Sequence, residues 1–284
     1  MIRKYWFYLV AFLFLFSCAK EKSLENGGGV TIDPPLGNNC TVNQIITADS
    51  LTGQGLFSYF TKFNISGIAE TVEVYDSVSG SVQFQGNFQY KGDTIRVSRT
   101  DYFLTDANKR VKGFRTTDFS GTPGDTLSYV YKYDANGYLT EKEIFVTGIV
   151  LPILRYSFVW SGQNLVAIDG VVAVPGINQK VMTVTLEYDA SKTAKNFIQV
   201  MPDGFENAVY IMGLDLGKKS RNLVKKYVVT LFDDLGALDE VYTMNFSNYK
   251  FSSDGYLTEW YAKGEDAGGT PFQSGRTLFK YFCK

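Results

Sequence analysis

The strongest pattern along the chain is a short unit in which an aromatic is followed by a polar cluster, a glycine and an aliphatic. Tyr131-Lys132-Tyr133-Asp134-Ala135-Asn136-Gly137-Tyr138-Leu139 recurs as Tyr249-Lys250-Phe251-Ser252-Ser253-Asp254-Gly255-Tyr256-Leu257, and in shorter form as Phe232-Asp233-Asp234-Leu235-Gly236-Ala237-Leu238. Fainter copies are Asp106-Ala107-Asn108-Lys109-Arg110-Val111, Tyr90-Lys91-Gly92-Asp93-Thr94-Ile95, Trp160-Ser161-Gly162-Gln163-Asn164-Leu165 and Tyr188-Asp189-Ala190. The aromatic ends one strand, Asp, Asn or Ser starts a turn by bonding its own backbone, glycine takes the positive φ, and the aliphatic opens the returning strand. Each unit reads as a β-hairpin.

The spacing fixes the fold class. Asp106 to Asp134 is 28 residues and Leu139 to Leu165 is 26, each about two strands with two turns. Strung together, the units predict an all-β chain, an antiparallel meander of about 12–16 strands from about residue 60 onward. So many strands curl, and closure removes exposed edges. We therefore expect one domain over residues 40–284, a closed or nearly closed barrel, with an open twisted sheet as the alternative. Lys132 and Lys142 read as lying on the face opposite Tyr133 and Leu139, so neither face offers the apolar band about 25 Å tall of a membrane-spanning barrel. Residues Asn196 to Arg221 break the rhythm, and so long an excursion predicts a plug or cap over one barrel end.

The first 39 residues are of another kind. Residues 1–17 have Arg3 and Lys4, an apolar stretch from Tyr5 to Phe16, and then Ser17, the layout of a secretory signal peptide. Leu15-Phe16-Ser17-Cys18 resembles the lipobox of bacterial lipoproteins, with Phe16 bulkier than the usual residue. The resemblance implies lipidation of Cys18 and a membrane partner through that anchor, and Ala19 after the cysteine implies sorting to the outer membrane. Residues 18–39, with Gly27-Gly28-Gly29 and Pro34-Pro35, have few large apolar residues and read as a disordered tether. Two cysteines then remain, Cys40 and Cys283, one at each end of the body. In an exported protein these suggest a disulfide joining first element to last, two free thiols being the alternative.

The Tyr133-Asp134-Ala135-Asn136-Gly137-Tyr138-Leu139 unit resembles the YD repeat of Rhs-type surface proteins. Lipobox, Gly/Pro tether, aromatic-turn-aliphatic hairpins and a near-terminal cysteine together resemble a family of Bacteroidetes lipoproteins of unknown function described as having a porin-like β-barrel fold. The resemblance covers residues 40–284, implies that fold, and carries over no catalytic residues.

Composition narrows the chemistry. The chain has no histidine, which excludes Ser-His-Asp and Cys-His catalysis and the HExxH zinc site. Removing residues 1–17 takes Arg3 and Lys4 away and leaves 26 basic against 29 acidic side chains, with no basic stripe for nucleic acid. Glu141 and Glu143, two apart on one strand, are the best-spaced carboxylate pair for glycoside hydrolysis, though beside Lys142 they also read as a solvated face. Asp233-Asp234 and Asp239-Glu240 fall in or beside a turn. Asp134, Asn136, Asp233 and Asp254 are oxygen ligands without the spacing of a calcium loop. We expect no metal and no cofactor.

Tyr138, Tyr256 and Trp260 share one alternation and are the candidate ligand-binding residues, an outward aromatic strip for a glycan or partner. Lining the wetter side of the barrel and cross-strand packing are the other readings. Ser50, Ser77, Thr94 and Thr126 sit in Asp-Ser/Thr-aliphatic triplets resembling the O-glycosylation sequon of Bacteroidetes exported proteins. The leading expectation is an outer-membrane or surface lipoprotein without enzymatic activity that binds a glycan, a hydrophobic small molecule or an envelope protein. A scaffold without a ligand and a carboxylate-dependent carbohydrate-active hydrolase are the alternatives.

Overall fold

A computed structural model describes residues 40–49, 57–76, 79–117, 124–177, 179–201 and 204–283. The recurring unit forms a five-residue turn with a fixed bonding pattern. At Asp134 the main-chain N–H donates to Tyr138 O at 3.0 Å and Gly137 N–H donates to Asp134 O at 3.0 Å. The Asp134 carboxylate accepts from Tyr138 N–H at 2.8 Å. Asn64, Asp106, Asp233, Ser252 and Asp266 repeat this pattern, each side-chain oxygen taking the N–H four residues on. The fourth turn residue has positive φ, filled by Gly67, Gly137, Gly236, Gly255 and Gly269, with Lys109 as the exception. The fainter units at Gly92 and Gly162 are two-residue turns instead, and Tyr188-Asp189-Ala190 opens the long excursion.

Among the described residues the strands are β1 (Cys40–Asp49), β2 (Phe57–Phe63), β3 (Ala69–Asp76), β4 (Val82–Asn87), β5 (Gln89–Lys91), β6 (Thr94–Arg96), β7 (Asp101–Thr105), β8 (Val111–Thr117) and β9 (Thr126–Tyr133). There follow β10 (Leu139–Val146), β11 (Leu154–Ser161), β12 (Asn164–Val172), β13 (Lys180–Asp189), β14 (Leu223–Phe232), β15 (Leu238–Phe251), β16 (Leu257–Asp266) and β17 (Pro271–Cys283). One helix, α1 (Gly204–Ile211), lies between β13 and β14. All strand pairings are antiparallel, and β1 pairs with both β2 and β17. The meander therefore returns on itself as a nearly closed barrel.

Parity explains how it closes. Seventeen strands in strict up-and-down order would bring the first and last together in parallel. Here β4 and β5 are two parts of one strand interrupted at Phe88: Phe88 N–H donates to Glu70 O in β3 at 2.9 Å, and Asn87 N–H donates to Val97 O, just past β6, at 3.1 Å. The seventeen segments thus occupy sixteen places in the wall, an even number, and Cys40 faces Cys283 in antiparallel register. The segment count exceeds the expected 12–16 by this one interruption.

Each five-residue turn is followed by a β-bulge. Leu139 pairs with Tyr133 and Glu141 with Lys132, so Thr140 is extra; Thr258, Lys112, Glu70, Asp239 and Phe272 are extra in the same way. A bulge flips the alternation beyond it. Leu139 and Lys142 consequently share the inner face, as do Leu257 and Trp260, all buried. This corrects the outward placement of Lys142, Tyr256 and Trp260, whereas Tyr138 is half-buried. Tyr256 is fully buried against Tyr281, and Trp260 packs inside among Phe197, Phe246 and Phe279.

The bulges also explain the aromatics. The β8–β9 ladder stops at Gly113 opposite Val130, leaving the Val111 carbonyl beyond it without a main-chain partner from β9. Tyr133, three residues past Val130, donates its phenol to that carbonyl at 2.5 Å. The same clasp joins Trp160 Nε1 to Leu139 O at 2.7 Å, Tyr188 to Leu165 O at 2.7 Å, and Tyr281 to Leu257 O at 2.7 Å. Tyr90 reaches Ala69 O at 2.9 Å, and Tyr249 reaches Val224 O. In all six the acceptor immediately precedes a bulged residue. The result is a collar of side-chain donors around one barrel end.

The bore is filled. Inward side chains from the wall, among them Val72, Phe103, Tyr129, Ile144, Leu186 and Trp260, form one apolar core with Phe197, Met201, Val209, Ile211 and Leu216 of the excursion. The outer wall is charged, with cross-strand pairs such as Lys62–Glu70 (3.4 Å), Lys132–Glu143 (2.9 Å), Lys226–Glu187 (3.8 Å) and Lys250–Glu259 (2.9 Å) spread around it.

Candidate binding site at the capped end

The excursion between β13 and β14 closes the collared end. Its main chain is tied to one hairpin after another: Lys195 N–H to Gly255 O (3.1 Å), Val111 N–H to Asp215 O (2.7 Å), Lys218 N–H to Gly137 O (2.9 Å) and Arg221 N–H to Gln163 O (3.1 Å). Asn196 Nδ2 donates to Cys40 O at 3.2 Å and Thr61 Oγ1 to Ile211 O at 2.5 Å. Gly217 crosses so close to the β9–β10 turn, at φ 87°, that a Cβ there would stand 2.5 Å from Gly137 O. The segment is the expected cap, and α1 carries it into the bore.

Inside, the cap is held by charge. Glu206 in the first turn of α1 and Lys142 of β10 are both 2% exposed and meet at 2.8 Å, with the Tyr131 phenol donating to the same carboxylate oxygen at 3.0 Å. The Lys142 ammonium lies 4.6 Å from the Tyr129 ring centre and 5.3 Å from that of Tyr156. A buried pair of this kind fixes position more than it adds stability. Its sequence signal was the repeat itself: Gly137-Tyr138-Leu139-Thr140-Glu141-Lys142 matches Gly255-Tyr256-Leu257-Thr258-Glu259-Trp260, with a lysine where the sister hairpin buries a tryptophan.

The outer surface of the cap holds a cavity of about 310 Å³ between the limb entering the barrel and the limb leaving it. Phe197, Ile198, Val200 and Leu223 form apolar walls, and Lys219 and Arg221 stand at its edge. Its floor is polar: the Tyr188 hydroxyl lies 2.9 Å from Ser220 Oγ, and Ser220 N–H donates to Gln199 Oε1 at 2.6 Å. Lys219 is solvent-accessible yet ringed by protein, as a pocket side chain is. That desolvation lowers its pKa against the opposing effect of Asp215. Burial raises the Tyr188 phenol, against hydrogen bonds from Ser220 and Gln199. Sequence reasoning marked the excursion but not Lys219 or Arg221, whose Lys218-Lys219-Ser220-Arg221 run was the available signal.

The remaining candidates are distributed elsewhere. Tyr138 is half-buried at the cap edge, 4.7 Å from Trp160 and under the Lys218 ammonium at 5.1 Å. Glu141 and Glu143 face outward between Lys132 and Arg155. Partial burial would raise the Glu143 pKa, but hydrogen bonds from Lys132 and Arg155 outweigh it and hold the carboxyl below its usual range. The patch thus holds Glu143 ionised rather than poised as a proton donor. Asp233 bonds its own turn. Among the described residues no three Asp, Glu or Cys side chains converge as metal ligands. Cys40 and Cys283 are bonded, S–S 2.09 Å, where β1 meets β17. Thr94 opens β6 half-buried, and the Thr126 hydroxyl lies 2.8 Å from that of Thr147. Cys18, Ser50 and Ser77 lie outside the described residues.

No family model and no characterised protein sequence matches the chain. Solved structures do. A porin-like protein from Bacteroides uniformis superposes with a TM-score of 0.55 at 16% identity, covering 84% of this chain and 95% of that one. A porin-like protein from Bacteroides vulgatus gives a TM-score of 0.55 at 10% identity, over 86% and 99%. At such identities the likeness is one of fold: the chain has the porin-like barrel of these Bacteroides proteins.

Proposed function

We propose that the protein is an outer-membrane or surface lipoprotein in which a filled barrel serves as a rigid stand and the capped end is a binding surface. The single observation that carries this reading is the combination of packed bore and charged outer wall: a filled barrel is no conduit, and a charged wall is no bilayer span. Function then falls to the ends, and the capped end has the concavity, fixed by the collar and by the buried Lys142–Glu206 pair. The lipobox-like Leu15-Phe16-Ser17-Cys18 supports anchoring, and Cys40, the first described residue, lies on this same end. The ligand classes it suits are glycans and small molecules with one apolar face, given the aromatic and polar lining.

A glycan array and a co-purification screen with the full chain test the binding role. Binding abolished by substitutions in the cap cavity is the expected result. Absence of any ligand or partner would leave the scaffold reading instead. Mass spectrometry of membrane fractions tests the anchor, with acyl chains on Cys18 expected and an unmodified Cys18 contradicting it.

A further inference from the structure

The cap cavity carries a charge asymmetry that the general binding role does not require. Among the described residues neither Lys219 nor Arg221 forms an ion pair, although both line the cavity. On the cap Lys192 pairs with Asp189 at 2.9 Å, and Lys195, Lys218 and Lys219 lie 5.7, 5.1 and 5.5 Å from the ring centres of Tyr256, Tyr138 and Tyr210, whereas Arg221 makes no such contact among the described residues. The nearby Asp215 carboxylate accepts from Gly217 N–H at 2.7 Å. The cavity mouth therefore carries two cationic side chains outside any ion pair, with the Asp215 carboxylate acting on Lys219.

The frame behind these two side chains is fixed. Ser220 N–H is held by Gln199, Arg221 N–H by Gln163 O, Asn222 N–H by Asn164 Oδ1 at 3.0 Å, and Leu165 N–H by Ser220 Oγ at 3.0 Å. Asn196, on the opposite limb, holds a φ of 46°, uncommon for a residue with a side chain. A fixed backbone that presents cationic heads outside ion pairs suits preorganised anion recognition. At about 310 Å³ the cavity is at the small end of ligand sites, suited to one ring rather than a chain of them.

We infer that the cap cavity binds a sugar-sized ligand bearing a carboxylate or phosphate, with Lys219 and Arg221 holding the anion and Ile198 and Val200 meeting its less polar face. This rests on the proposed binding role of the capped end and names its ligand class. Arg221 supplies the planar fork that suits either anion, and Lys219 a mobile point charge.

The test is amide chemical-shift titration of the full chain with glucuronate, glucose 1-phosphate, inorganic phosphate and glucose. Glucuronate or glucose 1-phosphate should shift the amides of residues 194–200 and 219–224, and which of the two binds more tightly tells a uronate from a phosphate ligand. Inorganic phosphate should bind more weakly than glucose 1-phosphate, since it leaves the apolar wall unused. Lys219→Gln and Arg221→Gln should each weaken binding about tenfold or more, whereas Lys195→Gln, outside the cavity, should change it less than threefold. Near-ultraviolet circular dichroism confirms that each variant is folded. The inference is overturned if the Lys219→Gln/Arg221→Gln double variant binds either anion as tightly as the parent. It is also overturned if glucose shifts these amides and the anions do not, an outcome that keeps the capped end as a binding surface. If no probe and no array glycan touches the cap, both readings fail together.

Discussion

The phenol of Tyr133 donates to the main-chain carbonyl of Val111, 22 residues earlier on the neighbouring strand, at 2.5 Å. That bond occurs where the β8–β9 ladder has already ended, and five equivalents recur around the same barrel end. The collar follows from a general need: a carbonyl of a buried residue, stranded beside a bulge, must find a donor. The aromatic near the end of each strand is accordingly Tyr or Trp in all six clasps.

Replacing Tyr133 by Phe keeps the ring and removes the donor. The Val111 carbonyl would be left unpaired, at a cost of about 1–3 kcal/mol. Denaturant unfolding should show a lower midpoint with an unchanged slope. Tyr242→Phe, in a tyrosine whose hydroxyl makes no hydrogen bond among the described residues, should change stability by less than about 0.5 kcal/mol. Equal losses in the two variants would remove the clasp from the account.

The hairpins were legible in the sequence because turn chemistry is local: an Asp, Asn or Ser, two residues, then a glycine, all acting within five positions. The cap was legible as a break in that rhythm. Which face each side chain takes was not. The bulges after Leu139 and Leu257 depend on how two strands meet, and one extra residue in each turned Lys142 and Trp260 inward against a simple count of two. The interruption at Phe88 is likewise a matter of register between β3 and β6, invisible in either strand alone. Lys219 and Arg221 acquire their setting only when two limbs of the cap, some twenty residues apart, lie side by side.

The Lys142–Glu206 pair locks α1 in the bore. Lys142→Met alone leaves the buried Glu206 carboxylate without its countercharge, and Glu206→Leu alone does the same to the Lys142 ammonium. Each should cost about 3–5 kcal/mol. The double variant should lose less than either single, since two apolar side chains replace two charges. Additive losses in a double-mutant cycle would show that the two groups act independently.

Alkaline pH should expose the collar. Desolvation raises the phenol pKa of Tyr133, Tyr188, Tyr249 and Tyr281, and pushes that of Tyr90 up to about 12. For an acid whose folded pKa exceeds its unfolded value, the stabilisation is complete below the unfolded pKa, about 10 for Tyr, and is lost as pH rises through the folded one. The barrel should therefore weaken progressively above about pH 10. Absorbance at 295 nm should show these phenols ionising together with unfolding. Full ionisation near pH 10 with circular dichroism unchanged would contradict their burial.

The Cys40–Cys283 bond closes almost the whole folded chain, with a sequence separation of 243. Loop entropy sets an upper bound of about 5 kcal/mol on what it adds. Reduction, or the Cys40→Ala/Cys283→Ala variant, should lower the thermal midpoint and loosen β1 from β17, seen as faster amide exchange in both. Two alkylatable thiols in the unreduced, denatured protein would show that the bond is absent.

The filled bore is tested most directly by acrylamide quenching of Trp260, read as the fluorescence component lost on Trp260→Phe. Surrounded by Phe197, Phe246 and Phe279 and 7% exposed, Trp260 should emit to the blue of water-exposed tryptophan and resist quenching up to molar acrylamide. Ready quenching with red-shifted emission would mean a water-filled bore, and with it a conduit in place of a stand.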